Sequence, residues 1–431
     1  MSTLDVWLYG LRVATVRPSQ AGVELTWSDQ AVDRWGLGSR TLSQLLPIGV
    51  ADKTTPLRAQ VWLEGLLPEG GARSRLAADS RIDPDDTLVF LSVYGKDTAG
   101  GLVFVEEGAP DASQVQHYEP VDDDDVAAML RHAESRGASA DDRSGLTSSS
   151  LAGMEPKIAL ARTPHGWARP LGGAPSTHII KISRPEGSAT ADLVDTEAAA
   201  LHLARIVGLG TVQADVVTFA DIRALVVSRY DRVVGEGRTD RIHQEDLAQA
   251  LGINTTDPDR KFQRARRTMP SYAHAARVLA DGLSSPDQLL ALATFTVIIG
   301  NTDGHAKNHS FLRLPEDGRV ELAPAYDISM HEHTGVSSGL LAMKIAAKSA
   351  IAEITADDLV AEGQSWGMAP RRATRVVADT VEAVRDGLDT IDRVAHPGVS
   401  DDAWDVVSAR ARKLDTLTPS APRPGRRGPR G

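Results

Sequence analysis

The segment 301–312, NTDGHAKNHSFL, contains the residue types that phosphoryl transfer requires: Asp303 lies five residues before Asn308, and Asp327 follows shortly downstream. In protein-kinase-type enzymes a catalytic-loop Asp accepts the proton of the substrate hydroxyl, an Asn five residues later holds a metal ion, and a separate Asp binds Mg²⁺. The spacing therefore predicts that Asp303 positions or deprotonates an acceptor hydroxyl, while Asn308 and Asp327 hold Mg²⁺ through oxygen ligands. Lys307 is then predicted to neutralise charge on the transferred group. The alternative is a polar turn after a helix, in which Asp and Asn serve only as caps.

A cation for the phosphates of a nucleotide is predicted at Lys181. It follows the apolar residues 178–180 of a predicted strand, where alternation directs it to one face of a sheet. Glu197 lies sixteen residues later, early in the next predicted helix, where a carboxylate can orient such a lysine. The alternative is an edge-strand lysine and a surface glutamate. The order Lys, Glu, Asp, Asn, Asp along the chain favours the kinase interpretation.

Backbone donors for phosphates are predicted in the small, hydroxyl-rich segment 148–157, SSSLAGMEPK. The chain contains neither a Gly-x-Gly-x-x-Gly nor a Walker-type Gly-x-x-x-x-Gly-Lys-Ser/Thr pattern. Small residues let the backbone approach a phosphate, and hydroxyls add donors. The same composition is also typical of an ordinary loop.

Two further patterns point to other chemistry only weakly. His305 and His309 have the spacing of a zinc-binding helix, but no glutamate follows His305, and Gly304 weakens a helix there. Residues 244–253 resemble the first helix and turn of a DNA-binding helix-turn-helix, but the turn-forming residues 254–259 follow where a recognition helix should begin. We therefore expect neither a zinc site nor an autonomous DNA-reading module.

Composition narrows the class of protein. The 431-residue chain is long enough for two or more domains with buried cores. The absence of cysteine excludes disulfides and cysteine nucleophiles, and the net charge of −11 argues against a general nucleic-acid-binding surface. The N-terminus lacks the features of a signal peptide, and no apolar run reaches the ~20 residues of a membrane span, so a cytoplasmic protein without membrane contact is expected.

The predicted elements form a strand-rich half followed by a helix-rich half. Strands are predicted at 6–8, 11–16, 23–27, 102–105, 158–162, 178–182, 212–219 and 224–228. Helices are predicted at 61–66, 72–78, 126–136, 193–207, 245–251, 271–279, 286–300, 356–362, 370–388 and 401–414. The four aspartates at 122–125 are expected to form a solvated helix N-terminus and not a metal site.

Taken together, these motifs resemble those of the HipA-like serine/threonine kinases, the toxin components of bacterial toxin–antitoxin pairs. The similarity runs over residues 6–414, and its motifs are specific. They lie at 66–70, 97–104, 150–157, 177–181, 228–232, 243–246, 301–308 and 324–328. The resemblance implies the α+β class, with a two-lobed protein-kinase-like fold that has a β-rich N-terminal subdomain and an all-helical C-terminal lobe.

The resemblance also implies how the chain is divided. It gives a HipA-type N-terminal subdomain at 1–107, an acidic linker with one helix at 108–149, a kinase core at 150–415 and a disordered basic tail at 416–431. Within the core, residues 150–235 form the nucleotide-binding part and residues 236–415 the helical catalytic lobe.

By the same resemblance the cofactors are ATP and Mg²⁺, with Asp303 as the catalytic Asp, Asn308 and Asp327 on Mg²⁺, and Lys181 on the phosphates. The segment 228–231 is implied to be the interlobe hinge that receives adenine. The remaining residues implied to bind the nucleotide are Ser150, Leu151, Ala152, Gly153, Met154, Glu155, Lys157, Glu197, Ser228, Arg229, Tyr230, Asp231, Gln244 and His305.

The resemblance implies a switch in the serine-rich loop. Its serine is the autophosphorylation site of the family, and modification ejects the loop and inactivates the kinase. Alignment favours Ser150, although Ser148 and Ser149 are adjacent. This chain has Glu155 where the family commonly has Gln, and we expect the added negative charge to weaken ATP binding.

The expected protein is therefore a growth-inhibiting toxin kinase that phosphorylates an aminoacyl-tRNA synthetase or another translation component. Its expected partner is a HipB-like helix-turn-helix antitoxin, through which alone it contacts operator DNA. Two alternatives stay open. One is a small-molecule kinase of the aminoglycoside-phosphotransferase type, which uses a similar Asp-x-x-x-x-Asn loop. The other is a catalytically silent module that only binds the antitoxin.

Overall fold

The computed structural model describes residues 2–134, 156–184, 187–264, 268–314, 316 and 319–417. Most of the serine-rich segment lies outside these ranges, and so does nearly all of the predicted tail at 416–431. The assignments that fall outside the described residues, and so stay sequence predictions, are those to Ser150, Leu151, Ala152, Gly153, Met154 and Glu155.

The chain begins with a four-stranded antiparallel sheet and the helices packed on it. The strands are β1 (Leu4–Leu8), β2 (Leu11–Ser19), β3 (Gly22–Trp27) and β4 (Val103–Glu106), in the order β3-β2-β1-β4. The helices are α1 (Asp29–Trp35), α2 (Thr55–Glu64), α3 (Gly70–Ser80) and α4 (Thr87–Tyr94). The predicted hairpin between β1 and β2 is confirmed, because Tyr9 and Gly10 have φ of 52° and 78°, the positive values that a twist-matched two-residue turn requires. We call residues 4–106, which share one apolar core, the N-terminal domain.

A six-stranded sheet follows. Its strands are β5 (His117–Pro120), β6 (Lys157–Thr163), β7 (Gly166–Leu171), β8 (His178–Ile182), β9 (Ala214–Phe219) and β10 (Ile222–Ser228), in the order β5-β7-β6-β8-β10-β9. Helices α5 (Asp123–Glu134) and α6 (Leu193–Ile206) pack against it. The predicted strands around β6, β8, β9 and β10 and the predicted helix at α6 are confirmed.

The segment predicted to be an acidic linker with one helix contains that helix, α5, but it also contributes a strand that was not predicted, β5, to this sheet. β5 pairs with β7 at the sheet edge, and Leu130 of α5 lies in one apolar cluster with Ile158 and Ile180. β5 has four residues, too few for an alternating pattern to mark a strand. The aspartates behave as predicted, since Asp122 Oδ1 accepts the backbone N–H of Asp125 at the start of α5.

The rest of the chain is mainly helical but also contains short strands. The strands are β11 (Arg232–Val234), β12 (Thr239–Arg241), β13 (Gln244–Asp246), β14 (Ser310–Arg313), β15 (Val320–Leu322), β16 (Leu340–Ile345) and β17 (Lys348–Ala350). The helices are α7 (Leu247–Leu251), α8 (Tyr272–Asp281), α9 (Asp287–Ile299), α10 (Ala356–Ser365), α11 (Pro370–Thr390) and α12 (Asp401–Leu414). The prediction of an all-helical lobe is therefore wrong. Apart from the six-residue β16, these strands have three or four residues and offer too few alternating positions to be recognised by pattern.

Helix α9 is the central element of this helical part. Nearly all of its side chains are buried, and α11 and α12 pack against it. A helix that is apolar on every side is stable only when it is enclosed. Within the described ranges no helix combines the length and the apolar character needed to cross a membrane. Because α9 ends at residue 299, the most enclosed helix of the fold leads directly into the segment predicted to be catalytic.

Candidate active site

The loop 301–308 begins where α9 ends. Gly300 caps the helix with φ of +74°, a left-handed conformation that favours glycine. Asn301 is 1% exposed, and its side-chain oxygen accepts the N–H of Asp303 at 3.1 Å. Asp303 itself is exposed. The turn therefore presents the predicted catalytic carboxylate at the surface while its base is anchored in the core.

Asn308 joins the two aspartates through their backbones. Its Nδ2 donates to the carbonyl oxygen of Asp303 at 3.0 Å and to that of Asp327 at 3.4 Å. Both bonds use the amide nitrogen, so neither of them engages the amide oxygen, the atom that can bind a cation. Asp327 has φ of +53°, which is uncommon outside glycine and concentrates at functional sites. The structure thus brings Asp303, Asn308 and Asp327 into one site.

Lys181 contacts two carboxylates. Its Nζ donates to Oε1 and Oε2 of Glu197 at 2.7 and 3.0 Å and to Oδ1 of Asp327. The side chains of Lys181 and Glu197 are 10% and 5% exposed, whereas that of Asp327 is 44% exposed. The predicted contact between Lys181 and Glu197 is therefore present, and it links a buried carboxylate on α6 with an accessible one beside the 301–308 loop.

A second lysine lies on the same face of the sheet. Lys157, the first residue of β6, stands opposite Lys181 of β8 in the strand register. Like charges directly opposite each other on one sheet face repel, so the arrangement requires nearby anions. Burial would raise the pKa of Asp327, but Lys181 and Lys157 hold the pKa of that carboxyl well below its usual range. The site therefore combines an ionised carboxylate with two cations.

These residues fit a nucleotide with its metal better than they fit a metal alone. Among the described residues, no three His, Asp or Glu side chains form a group that could hold a metal ion. Mg²⁺ commonly takes one or two protein carboxylates and completes its shell with water and substrate phosphates. The carboxylate of Asp327 and the amide oxygen of Asn308 are oxygen atoms that could serve as such ligands, and the ammonium groups of Lys157 and Lys181 have the charge that phosphates require.

In the segment 228–231, predicted to receive adenine, Arg229 and Asp231 are buried, and Ser228 and Tyr230 are half-buried. Ser228 ends β10, and its Oγ accepts the N–H of Gln213 at 2.8 Å. The side chains of Arg229 and Asp231 are bonded to each other and are only 2% and 5% exposed. A nucleotide contact at these two positions would therefore use the backbone, and the hinge role of the segment stays a prediction.

Tyr230 connects this segment to the 301–308 loop. Its hydroxyl donates to Oε1 of Gln244, and its ring centroid lies 5.1 Å from that of Tyr326. The Tyr326 hydroxyl in turn donates to the backbone carbonyl of Lys307 at 2.7 Å. Gln244 lies in a strand and not in a helix, so the segment 244–253 is not a helix-turn-helix.

Lys307 is directed to the N-terminal domain. Its Nζ donates to the carbonyl oxygen of Gly65 at 3.0 Å and to Oδ2 of Asp246 at 2.8 Å, and Oε1 of Glu69 lies 3.7 Å away. Two buried carboxylates therefore balance this ammonium. The predicted role of Lys307 in neutralising the transferred group stays a prediction, and in this structure its ammonium is paired with Asp246 and Glu69.

His305 and His309 are buried rings next to the loop. Their ring centroids lie 5.2 Å from Phe262 and 5.4 Å from Tyr272, respectively, in edge-on contacts. Burial lowers the pKa of His305 to about 3 and that of His309 to about 4, so both rings are neutral near pH 7. The predicted contact of His305 with the nucleotide remains a prediction.

Three polar clusters join the N-terminal domain to the rest of the chain, and sequence reasoning missed all three. The Glu69 cluster consists of Gly65, Glu69, Asp246, Lys261 and Lys307. The Glu245 cluster consists of Ser43, Gln44, Trp62, Glu245 and Arg313. The Asp97 cluster consists of Asp97, Ser176, Arg229, Asp231 and Arg232. The available signal was that the motifs at 66–70, 97–104, 228–232 and 243–246 contain members of these clusters.

Comparison with protein-family models gives two matches. The model of the HipA N-terminal domain matches residues 4–105, and that of the HipA-like C-terminal domain matches residues 149–388. Among curated proteins, "Putative kinase Y4mE" of Sinorhizobium fredii is 31% identical over 368 residues, which are 81% of this chain and 83% of that protein. "Serine/threonine-protein kinase toxin HipA" of Shewanella oneidensis is 29% identical over 308 residues, which are 68% of this chain and 67% of that protein.

Comparison with solved structures shows a similar fold. A chain from the Shewanella oneidensis complex of HipA, HipB and operator DNA has a TM-score of 0.77, 23% identity and 96% coverage of both chains. At this identity the likeness shows a shared fold. Since the HipA-like C-terminal model alone spans more than half of the sequence, and a curated relative above 30% identity covers most of it, the chain belongs to the HipA family.

Proposed function

We propose that this chain is an ATP- and Mg²⁺-dependent protein serine/threonine kinase that acts as the growth-inhibiting toxin of a bacterial toxin–antitoxin pair. The observation that carries the proposal is the contact of Lys181 with both Glu197 and Asp327, next to an Asn308 that joins Asp327 to Asp303. The relatives named as kinases, one of them as a toxin, support it.

Each residue of the site has a distinct role in this proposal. Mg²⁺–ATP, when bound, supplies the phosphoryl group and neutralises part of its charge. Asn308 and Asp327 would hold the metal through oxygen atoms, and Lys181, kept in place by Glu197, would orient the phosphates. Asp303 accepts a hydrogen bond from the acceptor hydroxyl and takes up its proton, while Asn301 fixes the backbone of the turn.

We also propose a two-lobed arrangement for the kinase part. The six-stranded sheet with α5 and α6 would form the nucleotide-binding lobe, and the helical part around α9 would form the catalytic lobe. The segment 228–231 would connect them, with its backbone facing the adenine. The N-terminal domain would be the additional subdomain of the family, and residues 150–157 would supply the loop over the phosphates.

The proposed partner is a helix-turn-helix antitoxin of the HipB type. The structurally similar HipA chain comes from a complex that also contains HipB and operator DNA. A net charge of −11 makes direct DNA binding by this chain unfavourable, so contact with DNA would occur through the antitoxin. The proposed substrate is an aminoacyl-tRNA synthetase or another translation component, and Ser150 is the proposed autophosphorylation site.

The catalytic assignment can be tested by label transfer from γ-labelled ATP with Mg²⁺. Asp303→Ala should lower incorporation by about 10²- to 10⁴-fold, the usual contribution of a positioned general base, and leave the fold unchanged because Asp303 is exposed. Arg17→Ala, which changes an exposed residue of the N-terminal domain, is the matched control. Equal incorporation by the parent chain and Asp303→Ala would show that the assignment is wrong.

The substrate can be identified by phosphoproteomics after brief expression of the parent chain and of Asp303→Ala. We expect one dominant phosphoserine or phosphothreonine in a translation protein, and one in the peptide that contains Ser148, Ser149 and Ser150. Both sites should be missing with Asp303→Ala. Rapid phosphorylation of a small alcohol without any new phosphopeptide would instead identify a small-molecule kinase.

A further inference from the structure

We propose that Glu69 of the N-terminal domain is a positioning residue for the metal-binding Asn308, acting through the ammonium of Lys307. This inference rests on the proposed kinase function and adds a task for the N-terminal domain, which would form part of the active-site scaffold. Within the part of the chain that the structure describes, the carboxylate of Glu69 contacts Lys261 and Lys307, and the proposed function assigns neither to the nucleotide or the metal, so its effect would be transmitted and not direct.

The conformation of Glu69 indicates that its side chain is used for this contact. Glu69 is the N-cap residue of α3, the position at which a side chain ordinarily accepts a hydrogen bond from the first helical turn. Its carboxylate instead faces two lysines of the following domain, with Oε2 at 3.3 Å from Nζ of Lys261 and Oε1 at 3.7 Å from Nζ of Lys307. The side chain is 11% exposed, so water screens these charges only weakly.

Lys307 is held from several sides. The carbonyl oxygen of Gly65, at the end of α2, and Oδ2 of Asp246 accept hydrogen bonds from its Nζ. The carboxylate of Glu69 faces the same ammonium, with Oε1 at 3.7 Å, so Lys307 lies between two carboxylates and a backbone carbonyl. The backbone carbonyl of Lys307 is fixed separately by the hydroxyl of Tyr326.

The position of Lys307 affects the proposed metal site because the two are adjacent in the chain. Lys307 and Asn308 are adjacent and belong to one short turn of 3₁₀ helix, Ala306–Asn308. The Asn308 amide in turn holds the backbone carbonyls of Asp303 and Asp327 at 3.0 and 3.4 Å. A shift of the Lys307 side chain therefore changes the orientation of a metal ligand, and outer contacts of this kind commonly change metal affinity 10- to 100-fold when removed.

The Glu69 contacts are too long for a purely stabilising role. A charge-assisted hydrogen bond is usually 2.7–2.9 Å, whereas the two contacts of Glu69 measure 3.3 and 3.7 Å. The Glu245 cluster, in contrast, contains three hydrogen bonds of 2.7–2.9 Å to one carboxylate. Glu69 thus contributes mainly an electrostatic field that selects the position of Lys307, and its removal should change the site more than the stability of the fold.

The test compares Glu69→Gln with Glu64→Gln in the full chain. Glu64 is the matched control, because it lies in the same domain, its side chain is 16% exposed, and it pairs with Arg73 inside that domain. The probe is Mn²⁺ with a non-hydrolysable imido analogue of ATP, whose binding is measured by electron paramagnetic resonance without any turnover. Glu69→Gln should weaken Mn²⁺ binding about tenfold and lower label transfer from γ-labelled ATP by a similar factor.

The outcomes separate this inference from the proposed function. If the parent chain binds no Mn²⁺–nucleotide, both the proposed function and this inference are wrong. If the parent binds it and Glu69→Gln binds equally well, the positioning role alone is wrong. If Glu69→Gln and Glu64→Gln lower the melting temperature equally and leave Mn²⁺ binding intact, Glu69 has only a structural role. Lys261→Met provides a second variant, which removes the other cation beside Glu69 but keeps the carboxylate that faces Lys307. It should therefore bind Mn²⁺ as the parent does, and a loss as large as that of Glu69→Gln would contradict the positioning role.

Discussion

The Glu245 cluster and the active site are both built from charged residues in sequence motifs, but they differ in how completely those charges are bonded. Glu245 is 0% exposed, and its two oxygens accept four hydrogen bonds, all from side chains or backbone of the same chain. In the active site, by contrast, Asp303 and Asp327 are exposed, and Lys181 is shared between two carboxylates. Charged motif residues that are buried and fully hydrogen-bonded within the protein hold its parts together. Charged motif residues that present ionised groups to solvent are suited to bind a ligand.

The largest expected effect is on the stability of the fold, and it follows from a substitution in the Glu245 cluster. Glu245→Gln should lower the free energy of unfolding by about 3–5 kcal/mol, because it leaves the buried guanidinium of Arg313 without a counter-charge. Urea unfolding of the parent and the variant measures the difference. Glu24→Gln, in the exposed pair of Glu24 with Arg17, should leave the unfolding midpoint essentially unchanged. Equal midpoints for Glu245→Gln and the parent would remove the distinction between the two regions.

The next effect is on catalysis, at the active site. Lys181→Met should lower kcat by about 10²- to 10³-fold, as expected when one cation is removed from the charge that develops on the transferred group. The variant should also lose stability, because Glu197 is left buried without its partner. The double variant Lys181→Met/Glu197→Gln should regain that stability, since both charges are then gone, without regaining activity. Recovery of activity in the double variant would contradict the assignment of Lys181 to the phosphates.

The third effect is a pH dependence to which both regions contribute. Burial lowers the pKa of His243, near the Glu245 cluster, and of His309, near the active site, to about 4. The unfolded chain therefore binds more protons below pH 6.5, so stability is present above that pH and falls as the pH drops toward 4. Each ring should contribute about 1.4 kcal/mol per pH unit in this window. Urea unfolding at pH 7, 6 and 5 measures the slope, and a free energy of unfolding that stays constant over this range would contradict it.

Local elements and local pairs could be predicted from the sequence. The strand at β8, the helix at α12 and the contact between Lys181 and Glu197 are confirmed, because each rests on periodicity or on residues close together in the chain. The direction of Lys307 could not be predicted, because its partner Gly65 lies 242 residues away. β13 and β14 could not be predicted either. Each becomes a strand by pairing with the other, which lies far away in the sequence, and not through an alternating pattern.

The internal bonding of the Arg229 and Asp231 side chains could not be predicted for a related reason. Arg229 and Asp231 stand in a motif that resembles a nucleotide-binding hinge, and the motif alone does not tell a backbone role from a side-chain role. The structure shows that they bond to Ser176 and Gly100, parts of the chain distant in sequence. A motif can thus mark residues that bond distant parts of the chain to each other as readily as residues that contact a ligand. Burial of the side chain distinguishes the first case from the second.

Strand β5 has a consequence for how the chain can be shortened. The match to the HipA-like C-terminal model begins at residue 149, but a chain cut there would lose β5, whose backbone covers the outer side of β7. Uncovered edge strands pair readily with other chains, so such a fragment should aggregate. Gln116, just before β5, also exchanges two hydrogen bonds with the backbone of Thr239, at 2.7 and 2.9 Å. A separately expressed kinase part that remains monomeric should therefore start ahead of Gln116.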